Sequence, residues 1–162
     1  MRVALLEDEP IQMQLMVATL ETFSEADHEA INCSQFTDGE SLRTALLTDP
    51  FDLVILDWNF DRTNGLDLVR WMRERGGGND QEKALAELPV IVVSARSTAG
   101  DSAAALAGGA DDYIAKPFRR GELLGRVQQL MSLVPRKQIR LHRPTRSTRA
   151  PGPPPTACAA GS

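Results

Sequence analysis

The chain has little sulfur and little imidazole: two cysteines, Cys33 and Cys158, and two histidines, His28 and His142, in 162 residues. None of the four has metal-ligand spacing, and two distant thiols cannot make the disulfide framework of a small secreted domain. Histidine-based nucleophilic chemistry has nothing to build on either. Long apolar runs are also missing. No stretch approaches the ~20 residues that span a bilayer, so no membrane partner is expected. The start lacks the basic end and long apolar segment of a secretory signal, because Glu7, Asp8 and Glu9 follow directly on a short apolar run. A cytoplasmic location is the resulting expectation. Acidic residues disappear from one part of the chain: residues 135–162 hold six Lys/Arg and no Asp/Glu, which leaves 12 Lys/Arg against 22 Asp/Glu in residues 1–134. The body is therefore −10 and the tail +6. A body that acidic repels nucleic acid, so any DNA contact must come from the tail or from another domain.

What is present has the proportions of one soluble domain, with 42% hydrophobic and 25% charged residues. Five short apolar runs, Val3–Leu6, Ile31–Phe36, Leu53–Leu56, Val90–Val93 and Tyr113–Ala115, read as buried strands. Between them, apolar residues recur at spacings of three and four. They are Ile11, Leu15 and Ala18 with Met16, Leu20 and Phe23; then Leu42, Ala45 and Leu46 after the start signal Thr37-Asp38-Gly39; then Leu68, Val69 and Met72. A fourth, Ala-rich helix is expected around Asp101–Ala107, ending at Gly108-Gly109, and a fifth carries Leu123, Val127, Leu130 and Val134. This is (βα)5. Continuous apolar strands separated by helices imply a doubly wound α/β fold, a five-stranded parallel sheet covered on both faces. The stretch Gly76–Lys83 has loop composition and reads as an inserted surface loop. From Pro135 onward periodicity stops, and Pro151-Gly152-Pro153-Pro154-Pro155 cannot continue a helix. Residues 1–134 are thus expected to form the domain, and 135–162 an Arg/Pro-rich disordered tail or truncated linker.

In a parallel α/β sheet the ligand site lies at the carboxyl ends of the strands. Those ends are polar here: Glu7-Asp8 after the first, Asp57 after the third, Ser94 after the fourth, Lys116-Pro117 after the fifth. Three carboxylates at one edge repel one another unless a cation neutralises them. A hard divalent ion with about six oxygen ligands suits them, with Asp8 and Asp57 as direct ligands, Glu7 in support and the Asn59 backbone carbonyl completing the set. Lys116 can pair with a carboxylate before reaction and a phosphoryl oxygen afterwards, the Ser94 hydroxyl adds a donor, and Ala95 keeps the approach clear. With metal, lysine and hydroxyl placed to neutralise phosphoryl oxygens, the free carboxylate of Asp57 becomes a nucleophile toward phosphorus. Singly, each residue has a plainer reading: Asp8 as a helix cap, Ser94 as a structural hydroxyl, Lys116 as a solvated lysine, and Tyr113, Trp58 and Trp71 as packing aromatics. The combination at four strand ends outweighs those readings.

The stretches Leu5-Leu6-Glu7-Asp8-Glu9-Pro10, Asp52-Leu53-Val54-Ile55-Leu56-Asp57-Trp58, Gly65, Ser94-Ala95-Arg96 and Gly109-Ala110-Asp111-Asp112-Tyr113-Ile114-Ala115-Lys116-Pro117-Phe118 resemble the receiver domain of two-component response regulators, closest to receivers of OmpR-like winged-helix regulators. The resemblance implies a flavodoxin-like receiver fold with strand order 2-1-3-4-5 and a phosphorylation-dependent signalling switch rather than an enzyme that turns over a substrate. In that role Asp57 accepts a phosphoryl group from a sensor histidine kinase. Glu7, Asp8, Asp57 and the Asn59 carbonyl organise Mg²⁺ or Mn²⁺, and Ser94 and Lys116 contact the phosphoryl group. Ser94 and Tyr113 are the implied switch residues, Lys116-Pro117 the implied cis bond. Asp112, Glu122 and Arg126 mark an output face that forms a phosphorylation-dependent homodimer, with Asp112 and Arg126 paired across it. The sequence departs from the family at Asp61, where proline is common, at Ser102, where a basic partner for Glu122 is usual, and in the extra residues at Gly76–Lys83. It carries no recognisable output domain after Val134, so it reads as a stand-alone receiver or as the receiver part of a truncated or frame-shifted DNA-binding regulator. An aspartyl-phosphate phosphatase is disfavoured because Asn59 stands where those enzymes carry a second Asp. A nucleotide-binding module is disfavoured because Glu7-Asp8-Glu9, not a Gly-rich loop, follows the first strand.

Overall fold

Continuous apolar runs become strands buried on both faces only when helices cover each side of the sheet. A computed structural model, describing residues 1–27, 30–60 and 63–133, has that arrangement. Its elements are β1 (Arg2–Leu6), α1 (Pro10–Asp27), β2 (Asn32–Phe36), α2 (Gly39–Thr48), β3 (Leu53–Asp57), β4 (Asn59–Phe60), β5 (Thr63–Asn64) and α3 (Gly65–Arg73). A 3-10 turn (Glu74–Gly77) leads into α4 (Asp80–Glu87), followed by β6 (Val90–Ser94), α5 (Ala99–Ala107), β7 (Asp112–Ala115) and α6 (Arg120–Leu133). The main sheet is parallel in the order β2-β1-β3-β6-β7. Counting its five strands along the chain, that is the expected 2-1-3-4-5. The two-residue strands β4 and β5 pair separately as an antiparallel hairpin beyond the end of β3. The tail 135–162, Val134, His28 and Asp61 lie outside the described residues.

Alternation of side chains across the sheet divides the interior into two cores. Leu5, Ile55, Ile91 and Val93 face α1 and α6 and meet Met16, Leu20, Leu123 and Val127. Leu6, Val54, Leu56 and Val92 face the other helices and meet Leu42, Leu68, Val69, Met72 and Ala105. Each such side chain, fully withdrawn from water, contributes about 1.5–3 kcal/mol, which makes the central strands the rigid frame of the molecule. Helix starts carry their caps. Asp38 accepts the Ser41 N–H at 2.8 Å, Asn64 accepts the Leu66 N–H at 3.0 Å, and Thr98 with Asp101 forms a reciprocal capping box. Gly109, at φ +107, closes the end of α5, where its left-handed conformation excludes most other residues.

The expected loop at Gly76–Lys83 is instead the 3-10 turn and the first half of α4. The reason is local. Asn79 accepts the Glu82 N–H at 3.0 Å while the Glu82 carboxylate accepts the Asn79 N–H at 3.1 Å, a capping box that starts a helix directly after the glycines. Leu85 and Leu88 then bury themselves in the core shared with α2 and α3. Arg73 fastens the addition: its guanidinium donates to the carbonyls of Ala86 and Leu88 at 2.7 Å each and of Gly109 at 2.9 Å, and meets the Asp111 carboxylate at 2.8 Å.

Candidate functional site

Strand register fixes which residues meet at the carboxyl edge. Leu6 lies level with Leu56, Asp57 with Val93 and Ser94 with Ala115, so Glu7, Asp57, Ser94 and Lys116 leave four adjacent strands at nearly one height. The Lys116 ammonium donates to a Glu7 carboxylate oxygen at 2.6 Å and reaches Asp57 at 3.4 Å. Asp8 completes the cluster: carboxylate oxygens of Glu7, Asp8 and Asp57 all lie within 4.8 Å of one another, a spacing one metal ion can bridge. Glu7 is 1% exposed and Asp57 8%, whereas Asp8 faces solvent. The cluster therefore has an open side, as a site that admits both a hydrated ion and a phosphoryl group requires.

Electrostatics follow from that burial. Removal from water pushes the Glu7 carboxyl above its ordinary range, against the hydrogen bonds from Lys116 and the Glu9 N–H that hold it down, and the neighbouring Asp57 charge pushes the same way as burial. For Lys116 burial acts downward, but its hydrogen bond to Glu7 and the charges of Asp57 and Glu7 win, so the ammonium is held above the ordinary lysine value. Lys116 is a fixed cation. Sequence reasoning foresaw that this lysine would pair with a carboxylate; the structure shows that its tighter partner is Glu7, not Asp57.

Strand β3 is held from behind. The Trp58 N–H donates to the Val93 carbonyl at 2.9 Å, and the Gly65 N–H donates to the Trp58 carbonyl at 2.6 Å. A Cβ at Gly65 would stand 2.6 Å from the Asp57 carbonyl oxygen and 2.7 Å from Leu56, so only glycine lets α3 start this close to β3. Asp57 itself accepts the Asn59 N–H at 3.3 Å, and Asn59, exposed in β4, begins the hairpin that rims the site. The Ser94 side chain is fully buried and its oxygen accepts the Arg96 N–H at 3.0 Å. Lys116-Pro117 is cis, as the resemblance implied.

The contacts of one residue, quoted above only as the end of Ser94-Ala95-Arg96, were not foreseen. Arg96 lies with its guanidinium 5.2 Å from the centre of the Trp58 ring and 3.8 Å from the Asp101 carboxylate, and its carbonyl accepts the Tyr113 hydroxyl. Tyr113 and Trp58 meet edge to face at 6.2 Å. A ring of contacts thus joins the residue beside Asp57 to the β6–α5 loop and to β7. The sequence signal was thin, an arginine two residues after Ser94. Of the residues expected on an output face, Arg126 and Asp112 pair at 3.3 Å within the chain, and Glu122 sits in the first turn of α6.

The family model for the response regulator receiver domain matches residues 3–128. The chain belongs to this family. Among curated proteins this receiver is 42% identical over 94 residues to the response regulator protein PmrA of Pseudomonas aeruginosa, and 35% identical over 115 residues to the response regulator ArlR of Staphylococcus aureus. The matches cover 58% and 71% of this chain but 38% and 48% of those proteins, so the receiver spans about half the length of its curated relatives or less. Among solved structures it superimposes on the receiver domain of the Francisella response regulator 1452 (TM-score 0.65, 25% identity, 81% of this chain and 96% of that one). It also superimposes on the non-phosphorylated HemR receiver domain of Leptospira biflexa (TM-score 0.66, 25% identity, 83% and 96%). The receiver domain of the sensor histidine kinase PA1611 of Pseudomonas aeruginosa, solved with a magnesium ion in its active-site cleft, shares the fold at TM-score 0.65 and 23% identity over 81% and 97% of the two chains. Among the described residues no helix is long and apolar enough to cross a membrane.

Proposed function

We propose that Asp57 of this receiver is the phosphoacceptor, and that it takes its phosphoryl group from a phosphohistidine of a sensor histidine kinase. An Asp57 carboxylate oxygen forms a bond to phosphorus as the phosphorus–nitrogen bond breaks, and the electron pair of that bond leaves on the imidazole. The observation that carries this reading is the single cluster in which Asp57 lies 3.4 Å from Lys116 and within metal-bridging distance of Glu7 and Asp8. The donor set, all oxygen and carboxylate-rich, fits Mg²⁺ or Mn²⁺, held by Asp8 and Asp57 with Glu7 in support and the Asn59 carbonyl as a further ligand. When bound, the ion supplies positive charge to the transferring oxygens and cancels the repulsion among the carboxylates. Lys116 holds a second positive charge at the same place, and Ser94 offers a hydroxyl from the neighbouring strand end. Magnesium in the cleft of the PA1611 receiver supports the assignment.

The domain acts as a switch, not as an enzyme on a released substrate, and works in the cytoplasm. Phosphorylation biases Ser94, Tyr113 and the Arg96 contacts, and through them the face of α5, β7 and α6. A homodimer on that face that pairs Asp112 with Arg126 across two copies requires both residues to leave their present partner within the chain. Relatives more than twice the length of the match favour a second reading of the whole protein, a receiver that serves a DNA-binding output domain. The decisive experiment is labelling with acetyl phosphate. One phosphoryl group is expected with Mg²⁺, none in a chelator and none in Asp57→Asn; labelling that survives either condition would overturn the assignment.

A further inference from the structure

The added helix α4 forms one wall of a groove that the acidic cluster at the carboxyl edge does not use. It lies between α2 and α4 and has a volume of about 420 Å³, within the roughly 300–1,000 Å³ of sites that enclose compact ligands. Leu46, Phe51, Leu85 and Leu88 form its floor, and Asp49 and Asp80 stand on its rim. Among the described residues its lining holds no Lys or Arg. A shallower hollow along α2 shares Thr48 and Asp49 with it and adds a third carboxylate, Glu40. The face is apolar at the bottom and anionic at the rim.

We infer that this groove docks a partner protein through a segment in which apolar side chains are flanked by arginine or lysine. The first support is where negative charge stands without an answer. Asp49 is the C-cap of α2, the end at which the helix dipole is already negative, and the last turn of that helix has no basic residue. Its ion pair with Arg2 is only at 4.0 Å, the outer limit, and Asp80 and Glu40 form none among the described residues. The second support is that this helix end draws a donor from outside: the Gln81 side-chain amide of α4 donates to the Leu47 carbonyl, and Leu47 is 40% exposed beside that bridge. The third is a guanidinium that the chain itself places here. Arg2 lies over the Phe51 ring at 5.1 Å while it faces Asp49, so the aromatic floor and the rim carboxylate together already accept this chemistry. One guanidinium against three carboxylates leaves the face anionic, which favours a cationic partner over an acidic or neutral one. Position adds a consequence. Phe51 and Leu88 lie just before β3 and β6, at the amino edge of the sheet, so an occupant of the groove leaves the carboxyl edge and Asp57 uncovered. This inference is independent of the role of Asp57.

The test titrates the isotopically labelled full chain with the probe peptide acetyl-Arg-Leu-Leu-Arg-amide, beside acetyl-Arg-Ser-Ser-Arg-amide and acetyl-Glu-Leu-Leu-Glu-amide as controls. Backbone amides of residues 46–51 and 80–88 should shift saturably with the first peptide and much less with either control. Two exposed ion pairs are worth about 2- to 30-fold in affinity. Asp49→Lys/Asp80→Lys replaces attraction by repulsion and should weaken the probe by at least about 5-fold, as should 1 M salt, where charges are screened beyond about 3 Å. Ala84→Phe leaves the charge alone and sets a ring into the groove from the exposed side of α4, so it should also block the probe. Unchanged amide shifts of β1 and β6 identify variants that are folded, and either variant suffices. No shift at millimolar probe, shifts spread evenly over the acidic surface, equal binding of the serine peptide, or binding indifferent to Ala84→Phe would overturn the proposal. Shifts at the same residues that grow with protein concentration in the absence of peptide would assign the groove to a second copy, and would equally overturn it.

Discussion

Replacing Lys116 by methionine removes the one cation that the described residues place against Glu7 and Asp57 while keeping most of the side-chain volume. At an effective dielectric of about 20, contacts at 2.6 and 3.4 Å correspond to roughly 6 and 5 kcal/mol of gross attraction, much of it offset by desolvation. Breaking such a pair while leaving the carboxylates buried costs about 3–5 kcal/mol, a large part of the ~5–15 kcal/mol that holds a domain folded. The loss depends on pH. Glu7 already sits above its ordinary value, and Lys116→Met removes a hydrogen bond that holds it down, so its folded pKa rises further. Stability from an acid with a raised folded pKa is complete below its unfolded value and drains as pH climbs through the folded one. The variant should therefore be about 3 kcal/mol less stable than wild type at pH 8, and the deficit should shrink as pH falls and Glu7 takes up a proton. Urea unfolding across that range measures it. Mg²⁺ at about 100 times its dissociation constant adds about 2.7 kcal/mol to a folded state that alone binds it, and should restore most of the loss at pH 8. A penalty that stays constant from pH 5 to pH 8, or that Mg²⁺ leaves untouched, would refute the reasoning that Lys116 is the counterion of this cluster.

Asp8→Ala should remove metal affinity, read by the fluorescence of Trp58 beside the acceptor; equal affinity in wild type and variant would reject Asp8 as a ligand. Gly65→Ala should cost about 1–3 kcal/mol, because its Cβ would stand 2.6 Å from the Asp57 carbonyl oxygen, and should slow labelling by acetyl phosphate through displacement of the acceptor; an unchanged Tm would show that α3 gives way freely. Arg126→Glu should abolish a salt-sensitive dimer of the beryllofluoride-treated protein in sedimentation, and a wild type that stays monomeric at high micromolar concentration would reject the homodimer.

The site was legible because its residues are the polar ends of apolar strands, and a parallel sheet with this order brings such ends together whatever the helices do. Which carboxylate would hold Lys116 was not legible, since that depends on the register that sets Glu7 level with Asp57. Arg96 was missed for a similar reason: its contacts run to Trp58, Tyr113 and Asp101, residues distant in sequence. The hairpin Asn59–Asn64 was too short to leave a period in the sequence. Helix α4 was hidden by Gly76-Gly77-Gly78, which promise a loop and deliver only a 3-10 turn before Asn79 and Glu82 restart the chain. That addition enters between α3 and the amino end of β6, while the acidic cluster lies at the carboxyl ends of β1 and β3, with Lys116 at that of β7. A parallel strand separates its two ends by its full length, so five residues of β6, about 17 Å, stand between the extra helix and the chemistry. The core pays no penalty either, because Leu85 and Leu88 extend the apolar layer over α2 and α3. A receiver can therefore lengthen at the amino edge and add surface there while the acidic cluster keeps its geometry.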